Sequence, residues 1–249
     1  MAPAQTKKSP MSLNRQIEDW LHPRIESFRH ADRPFITLTY AQSWDGSITT
    51  RCGESLNFSG PESTQITHQL RSLHDGILVG IGTILSDDPQ LTVREWDGPN
   101  PQPVVLDSQL RTPPTATICH HPDKACWILT SSGESDILSE HASVIPVGDS
   151  DSERQEVPLT AAMKLLKERG LNSLMVEGGA TVITAFLKAG LVDGLVLTVA
   201  PRLLGGYKAI DELLASDSGE PLLIKPIHTG QAGSDLVVWG DLQYGDSAA

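Results

Sequence analysis

The chain has 249 residues, a length common for a single α/β domain, and its 39% hydrophobic content is enough to bury a real core. A formal charge of −12 argues against nucleic acid or an anionic membrane as the main partner, since both require a basic face. Any phosphate ligand must then be met by a few well-placed arginines or backbone amides.

Residues 1–12 read as a loose, disordered leader: two lysines are present, but no apolar stretch follows them as in a secretory signal. Residues 13–30 read as a short helical extension broken at Pro23. From Pro34 the pattern changes, and PFITLTY (34–40) is β-branched and aromatic, hence a strand. Ser59-Gly60-Pro61-Glu62 has the form of a capping box with proline in the first turn. Ile66, Leu70 and Leu73 then give one apolar helical stripe. Short apolar strands follow at 76–80, 103–107, 125–130 and 143–147. An amphipathic helix over 158–170 ends on glycine. A strand (173–177), a helix (180–190) and a strand (194–201) come next, and 234–242 closes the chain as an edge strand. Alternating strands and helices predict a mainly parallel sheet covered on both faces, and the late strands without helices predict an antiparallel edge. The segments 94–103 and 149–156 read as loops, so 31–249 is taken as one domain behind an extension at 1–30.

In open α/β sheets ligands sit at the carboxyl ends of strands, where this chain repeatedly places unusual residues. The strand at 76–80 ends in Gly80-Ile81-Gly82-Thr83, a backbone stripped of side chains that a ligand can approach closely. Thr83 and Asp87 are placed to bind hydroxyls or phosphate. The plainer alternative is a tight turn capped by Asp87. Glu177-Gly178-Gly179-Ala180 leads a strand into a helix, whose first amides favour an anion, although a full G-x-G-x-x-G fingerprint is missing. Trp44-Asp45-Gly46 follows the first strand and reads equally well as a turn. Arg71 and Arg94 offer bidentate forks for phosphate, but each taken alone suits solvent as well. Three cysteines without C-x-x-C spacing, and His120-His121 in a loop with no third ligand, predict neither disulfide nor metal site. A reducing cytoplasm is the default. No 18-residue apolar run predicts a membrane helix.

The blocks TLTYAQSWDGSI, HQLRSLHDGILVGIGTILSDDPQLTVR, PVVLDS and MVEGGATVITAFLKAGLVDGLVLTVAPRLLG resemble the riboflavin-biosynthesis reductases. These comprise the reductase half of the bifunctional deaminase–reductase and its stand-alone archaeal and fungal relatives. The resemblance implies a dihydrofolate-reductase-like fold, NADPH as cofactor and a homodimer, with the apolar strand 194–201 and the VVW segment as a possible shared edge. Carried across by motif, it assigns the cofactor to Gln42, Asn57, Gly82, Thr83, Asp87 and Ser108. It adds Gly179, Ala180, Thr181 and Val182 at the helix start, and Ile183, Thr184 and Ala185 in the next turn. It assigns the substrate to Ser55, Arg71, Leu91, Arg94 and Glu177. The family's usual Ser-Leu-Asp-Gly reads Ser43-Trp44-Asp45-Gly46 here, so a larger ring must fit beside the site or under it. The zinc deaminase signature H-x-E…P-C-x-x-C is absent from the sequence, so reduction without deamination is expected.

The implied reaction converts the ribosyl group of a ribosylaminopyrimidine 5′-phosphate to ribityl, on either the diaminopyrimidinone or the aminouracil. Glu177 is the first candidate for the proton donor, because burial at a strand end would raise its pKa. Asp45 is the second, with water or the substrate itself as the third option. A same-fold reductase acting on a pterin-like or other pyrimidine substrate, or a non-catalytic nucleotide-binding relative, remains open.

Overall fold

The computed structural model describes residues 11–54, 56–57, 59–133, 136–148, 156–210, 213 and 221–245. Residues 1–10, Ser55 and most of the 149–156 loop therefore lie outside the described residues. In chain order the elements are α1 (Leu13–Ser27), β1 (Phe35–Ser43), β2 (Ser47–Thr49), α2 (Pro61–Leu73), β3 (Gly76–Gly80), α3 (Ile81–Asp87), β4 (Gln102–Leu106), a 3-10 turn (Thr117–His120) and β5 (Cys126–Thr130). They continue as α4 (Asp136–Ser139), β6 (Ala142–Pro146), α5 (Leu159–Glu168), β7 (Ser173–Val176), α6 (Ala180–Lys188), β8 (Gly194–Ala200), β9 (Tyr207–Lys208), β10 (Leu223–Ala232) and β11 (Asp235–Gln243).

Nine strands form one sheet in the order β10-β11-β8-β1-β7-β3-β4-β5-β6, and β2 pairs with β9 in a small second sheet. The seven strands from β8 to β6 are parallel, while β11 runs antiparallel to β8, and β10 to β11. The central strands are apolar along their whole length because both faces are covered. One face packs α1, α2, α3 and the 3-10 turn through Ile17, Leu21, Ile66, Leu70, Ile84 and Ile118. The other packs α5 and α6 through Met163, Leu166, Ile183 and Phe186. The expected mainly parallel α/β sheet with an antiparallel edge is the observed one.

Four local expectations are corrected. Helix α1 runs through Pro23. That proline is on the exposed side, and the following Arg24 ties the last turn to Asp241 from β11 and donates to the Trp20 carbonyl at 2.7 Å. Far from hanging off the domain, α1 buries Ile17, Trp20 and Leu21 in the same core as the sheet. The capping box does not form: Gly60 is the N-cap, and Asp235 from β11 instead accepts from the Gly60 amide (2.9 Å) and the Ser63 hydroxyl (2.7 Å). The edge strand on that side is β10, so β8 and the VVW segment of β11 are interior to the sheet and neither presents a free edge.

His74 closes α2 onto the sheet. It donates from Nδ1 to the Leu70 carbonyl (2.7 Å), so Nε2 accepts from the Thr37 hydroxyl (2.7 Å). Complete burial lowers its pKa to about 4. Between pH 6.5 and 4 the unfolded chain therefore takes up a proton that the folded chain refuses. Stability from this group is full above pH 6.5 and falls as pH drops toward 4. Urea titrations should show the wild-type advantage over His74→Asn shrinking by about 3 kcal/mol from pH 7 to pH 4. A pH-independent difference would refute the assignment.

Candidate active site

Because seven strands are parallel, their carboxyl ends share one edge of the sheet. Strand β1 pairs with β7 through Phe35–Leu38 and with β8 through Thr37–Ser43. Residues 39–43 therefore overhang the end of β7 and wall one side of a cleft. Its floor is formed by the tips of β7, β3 and β4.

On this floor β3 passes straight into α3, where the sequence suggested an open turn. Val182 from α6 is what requires two of the glycines: a Cβ on Gly80 would lie 2.6 Å from its Cγ2, and one on Gly178 would lie 2.8 Å from its Cβ. Gly82 and Gly179 differ. A Cβ on Gly82 would meet nothing within 4 Å, and one on Gly179 would meet Thr83 Oγ1 at 3.9 Å. Thr83 and Gly179 thus face one shared opening. Helix α6 starts there with Gly179 as N-cap and no capping side chain, leaving its first amides for an anion.

Around it, Gln42 is half-buried on the β1 overhang and Asp87 is exposed at the end of α3. The Ser108 carbonyl accepts from the hydroxyls of Thr130 (3.1 Å), Ser131 (3.3 Å) and Ser132 (2.6 Å), joining the tips of β4 and β5. Asn57 is exposed and accepts the Ser59 amide at 3.2 Å, which makes it a turn residue in this structure. The run 179–185 does not act as a unit. Thr181 is exposed and Thr184 and Ala185 half-buried, whereas Ala180 is buried and Ile183 fully so, inside the core. A helix with 3.6 residues per turn cannot turn seven consecutive side chains to one ligand.

The second part of the cleft is polar. Arg71 is 7% exposed and forms a bidentate pair with Glu177, from Nε at 3.1 Å and Nη2 at 2.7 Å. Its Nη1 donates to the Thr92 carbonyl at 3.1 Å. The solvated-arginine alternative fails for Arg71. Arg94 is exposed, contacts Gln90 (3.3 Å) and Thr92 (2.9 Å) through Nη1, and has no carboxylate partner among the described residues. The sequence reading offers Glu177 as the acid, but both of its oxygens accept from a guanidinium, which suits an acceptor and anchor. At Leu91, φ is +55 and the side chain turns into the core, 2% exposed, so only its backbone is left for a ligand.

Asp45 is also corrected as a proton source. It accepts from Ser43 (2.6 Å), Ser47 (2.7 Å), the Leu204 and Gly205 amides (2.9 and 3.0 Å) and Lys208 (2.8 Å). Lys208 first, then these hydroxyls and amides, hold its carboxyl well below the ordinary range, so it stays ionised. Its work is to fasten the 201–208 segment to the turn after β1, with Gly46 at φ +82. Trp44 does not pack under the site: it is 63% exposed just past the tip of β1 and donates its amide to the Arg202 carbonyl at 2.7 Å.

Two residues went unnoticed in the sequence. Lys208 gives no local signal, since it reaches Asp45 across 163 positions. His68 lies one turn before Arg71 on the same face of α2, and that spacing was the available clue. A separate cleft of about 500 Å³, lined by Asp32, Arg33 and Lys164 among others, opens near the start of β1, away from these groups.

The sheet, with seven parallel strands and an antiparallel edge, and the glycine-rich strand ends at its carboxyl edge define an α/β protein of the kind that binds ligands there. Residues 34–238 match the family described as the RibD C-terminal domain, and the chain belongs to that family. It is 36% identical over 184 residues to the 2,5-diamino-6-ribosylamino-4(3H)-pyrimidinone 5′-phosphate reductase of Archaeoglobus fulgidus, covering 70% of this chain and 83% of that one. It is 32% identical over 212 residues to the riboflavin biosynthesis protein RibD of Aquifex aeolicus, covering 84% of this chain but 58% of that longer protein. Among solved structures, the riboflavin biosynthesis reductase Rib7 of Saccharomyces cerevisiae superposes with a TM-score of 0.65 at 27% identity, covering 86% of this chain and 92% of that one.

Proposed function

We propose that this chain uses NADPH to reduce the ribosyl group of a ribosylaminopyrimidine 5′-phosphate to ribityl, a step of riboflavin biosynthesis. The carrying observation is the two-sided cleft: an uncapped helix start beside open glycines on one side, an arginine-rich wall on the other. The Archaeoglobus relative is named for the diaminopyrimidinone, and we take that compound as substrate. The same reading includes a homodimer and a cytoplasmic setting. In its favour, β10 is an exposed sheet edge, the cysteines among the described residues are unpaired, and no described helix is long and apolar enough to cross a membrane.

Gly82, Thr83, Gly179 and Thr181, with Gln42, Asp87 and Ser108 at the margins, would hold NADPH. When bound, it supplies the hydride that reduces the sugar C1′. Arg94, with an uncommitted guanidinium face, and Arg71, with the N–H groups left over from Glu177, meet the 5′-phosphate and fix the open-chain sugar for attack. Glu177 holds Arg71 and presents acceptor oxygens toward the substrate. As C1′ is reduced, the imine electron pair moves to the exocyclic nitrogen, where conjugation with the pyrimidine spreads the charge. That nitrogen needs no strong acid, and water completes the amine.

The test is NADPH oxidation with the diaminopyrimidinone and aminouracil 5′-phosphates, each with and without the phosphate. The expected result is turnover of the phosphorylated diaminopyrimidinone, with kcat/KM lower by at least about a hundredfold once the phosphate is removed. Equal rates without the phosphate would favour a pterin-like substrate. Absent NADPH binding would favour a non-catalytic relative.

A further inference from the structure

His68 is 2% exposed, yet it is not a histidine satisfied within its own helix. Its Nδ1 accepts the backbone amide of Arg94 at 3.0 Å, across 26 positions. One turn later on α2, Arg71 donates to the Thr92 carbonyl. Two side chains from one face of α2 therefore grip backbone groups two residues apart, the Thr92 carbonyl and the Arg94 amide, in the loop that presents Arg94. An Nδ1 that accepts from an amide must be unprotonated, which places the proton of the neutral ring on Nε2. Burial, then the charges of Arg71 and Arg94, lower the pKa of this imidazole against the opposing pull of Glu95 and Glu177, in keeping with the neutral form.

We infer that His68 is a positioning residue for phosphate recognition: through the Arg94 amide it sets where the Arg94 guanidinium stands. The inference rests on the proposed role of Arg94 at the 5′-phosphate. His68 itself touches neither phosphate nor sugar. Without it, the loop retains Arg71 at Thr92 and the Asn100 side chain on the Val93 amide (2.7 Å), so Arg94 remains present but loses its fixed orientation.

The pair His68→Asn and His68→Gln provides the test, because both are polar and suit the same helix. Asparagine places its carbonyl oxygen as many bonds from Cα as Nδ1, and glutamine places its own one bond further, where it misses the amide. His68→Asn should keep KM for the phosphorylated diaminopyrimidinone within about threefold of wild type. His68→Gln should raise that KM about tenfold, with kcat little changed and KM for the dephosphorylated compound unmoved. Asparagine and glutamine variants that behave alike, or that shift both substrates alike, would overturn the inference. Arg94→Ala separates it from its premise. If that variant still discriminates against the dephosphorylated compound as wild type does, the role of Arg94 fails. If it loses discrimination while His68→Gln keeps it, only the role of His68 fails.

Discussion

Gly179→Asp is expected to leave the fold at least as stable and to weaken NADPH binding by about a hundredfold or more. Residue 179 is the N-cap of α6, at φ −74 and ψ 174, a backbone open to any residue. Aspartate is a better cap than glycine and its charge favours the helix start, so thermal melts should show no loss. The same carboxylate would occupy the opening beside Thr83 and repel a pyrophosphate there. Gly178→Ala is the counterpart, because its Cβ would press on Val182 at 2.8 Å and disturb packing before binding. Fluorescence titration with NADPH, read beside the melts, checks both. Undiminished affinity in Gly179→Asp would show that the cofactor lies elsewhere.

Arg71→Ala should be the most damaging single change on the substrate side. Removing a nearly buried guanidinium strips Glu177 of its bidentate partner and the Thr92 carbonyl of its donor. A loss of about 3 kcal/mol in stability follows, with kcat/KM for the phosphorylated substrate down about a thousandfold. Glu177→Gln keeps one acceptor and should cost only about tenfold in kcat/KM, with NADPH affinity unchanged. The contrast separates anchoring from proton donation. A glutamine variant with kcat nearly abolished and KM intact would restore Glu177 as the acid, and unchanged turnover and KM would remove it from the site.

The sheet was readable because its strands are short apolar runs between turn residues, and because both faces are covered. What escaped reading depended on partners far away in the chain. The Ser59–Glu62 pattern predicts a reciprocal cap, but Asp235 supplies the bonds instead. Helix α3 hid behind two glycines and Asp-Asp-Pro, its evidence reduced to Ile81 and Ile84 packing on the core. Strand β10 contains Pro226 and Gly230 and is largely exposed, so no apolar alternation marks it. In the site, glycine-rich strand ends were legible as places of close approach. Whether an arginine is solvated or paired was not, since the answer for Arg71 lies 106 positions away.

The Trp20 indole donates to Asp241 at 3.0 Å, and Arg24 grips the same carboxylate, more than two hundred positions along the chain. Both ends of this clasp lie outside the residues 34–238 that define the family. The clasp closes only when β11 lies beside β8, so it couples α1 to the antiparallel edge of the sheet, while Asn14 on Gln69 (2.7 Å) secures the same helix to α2.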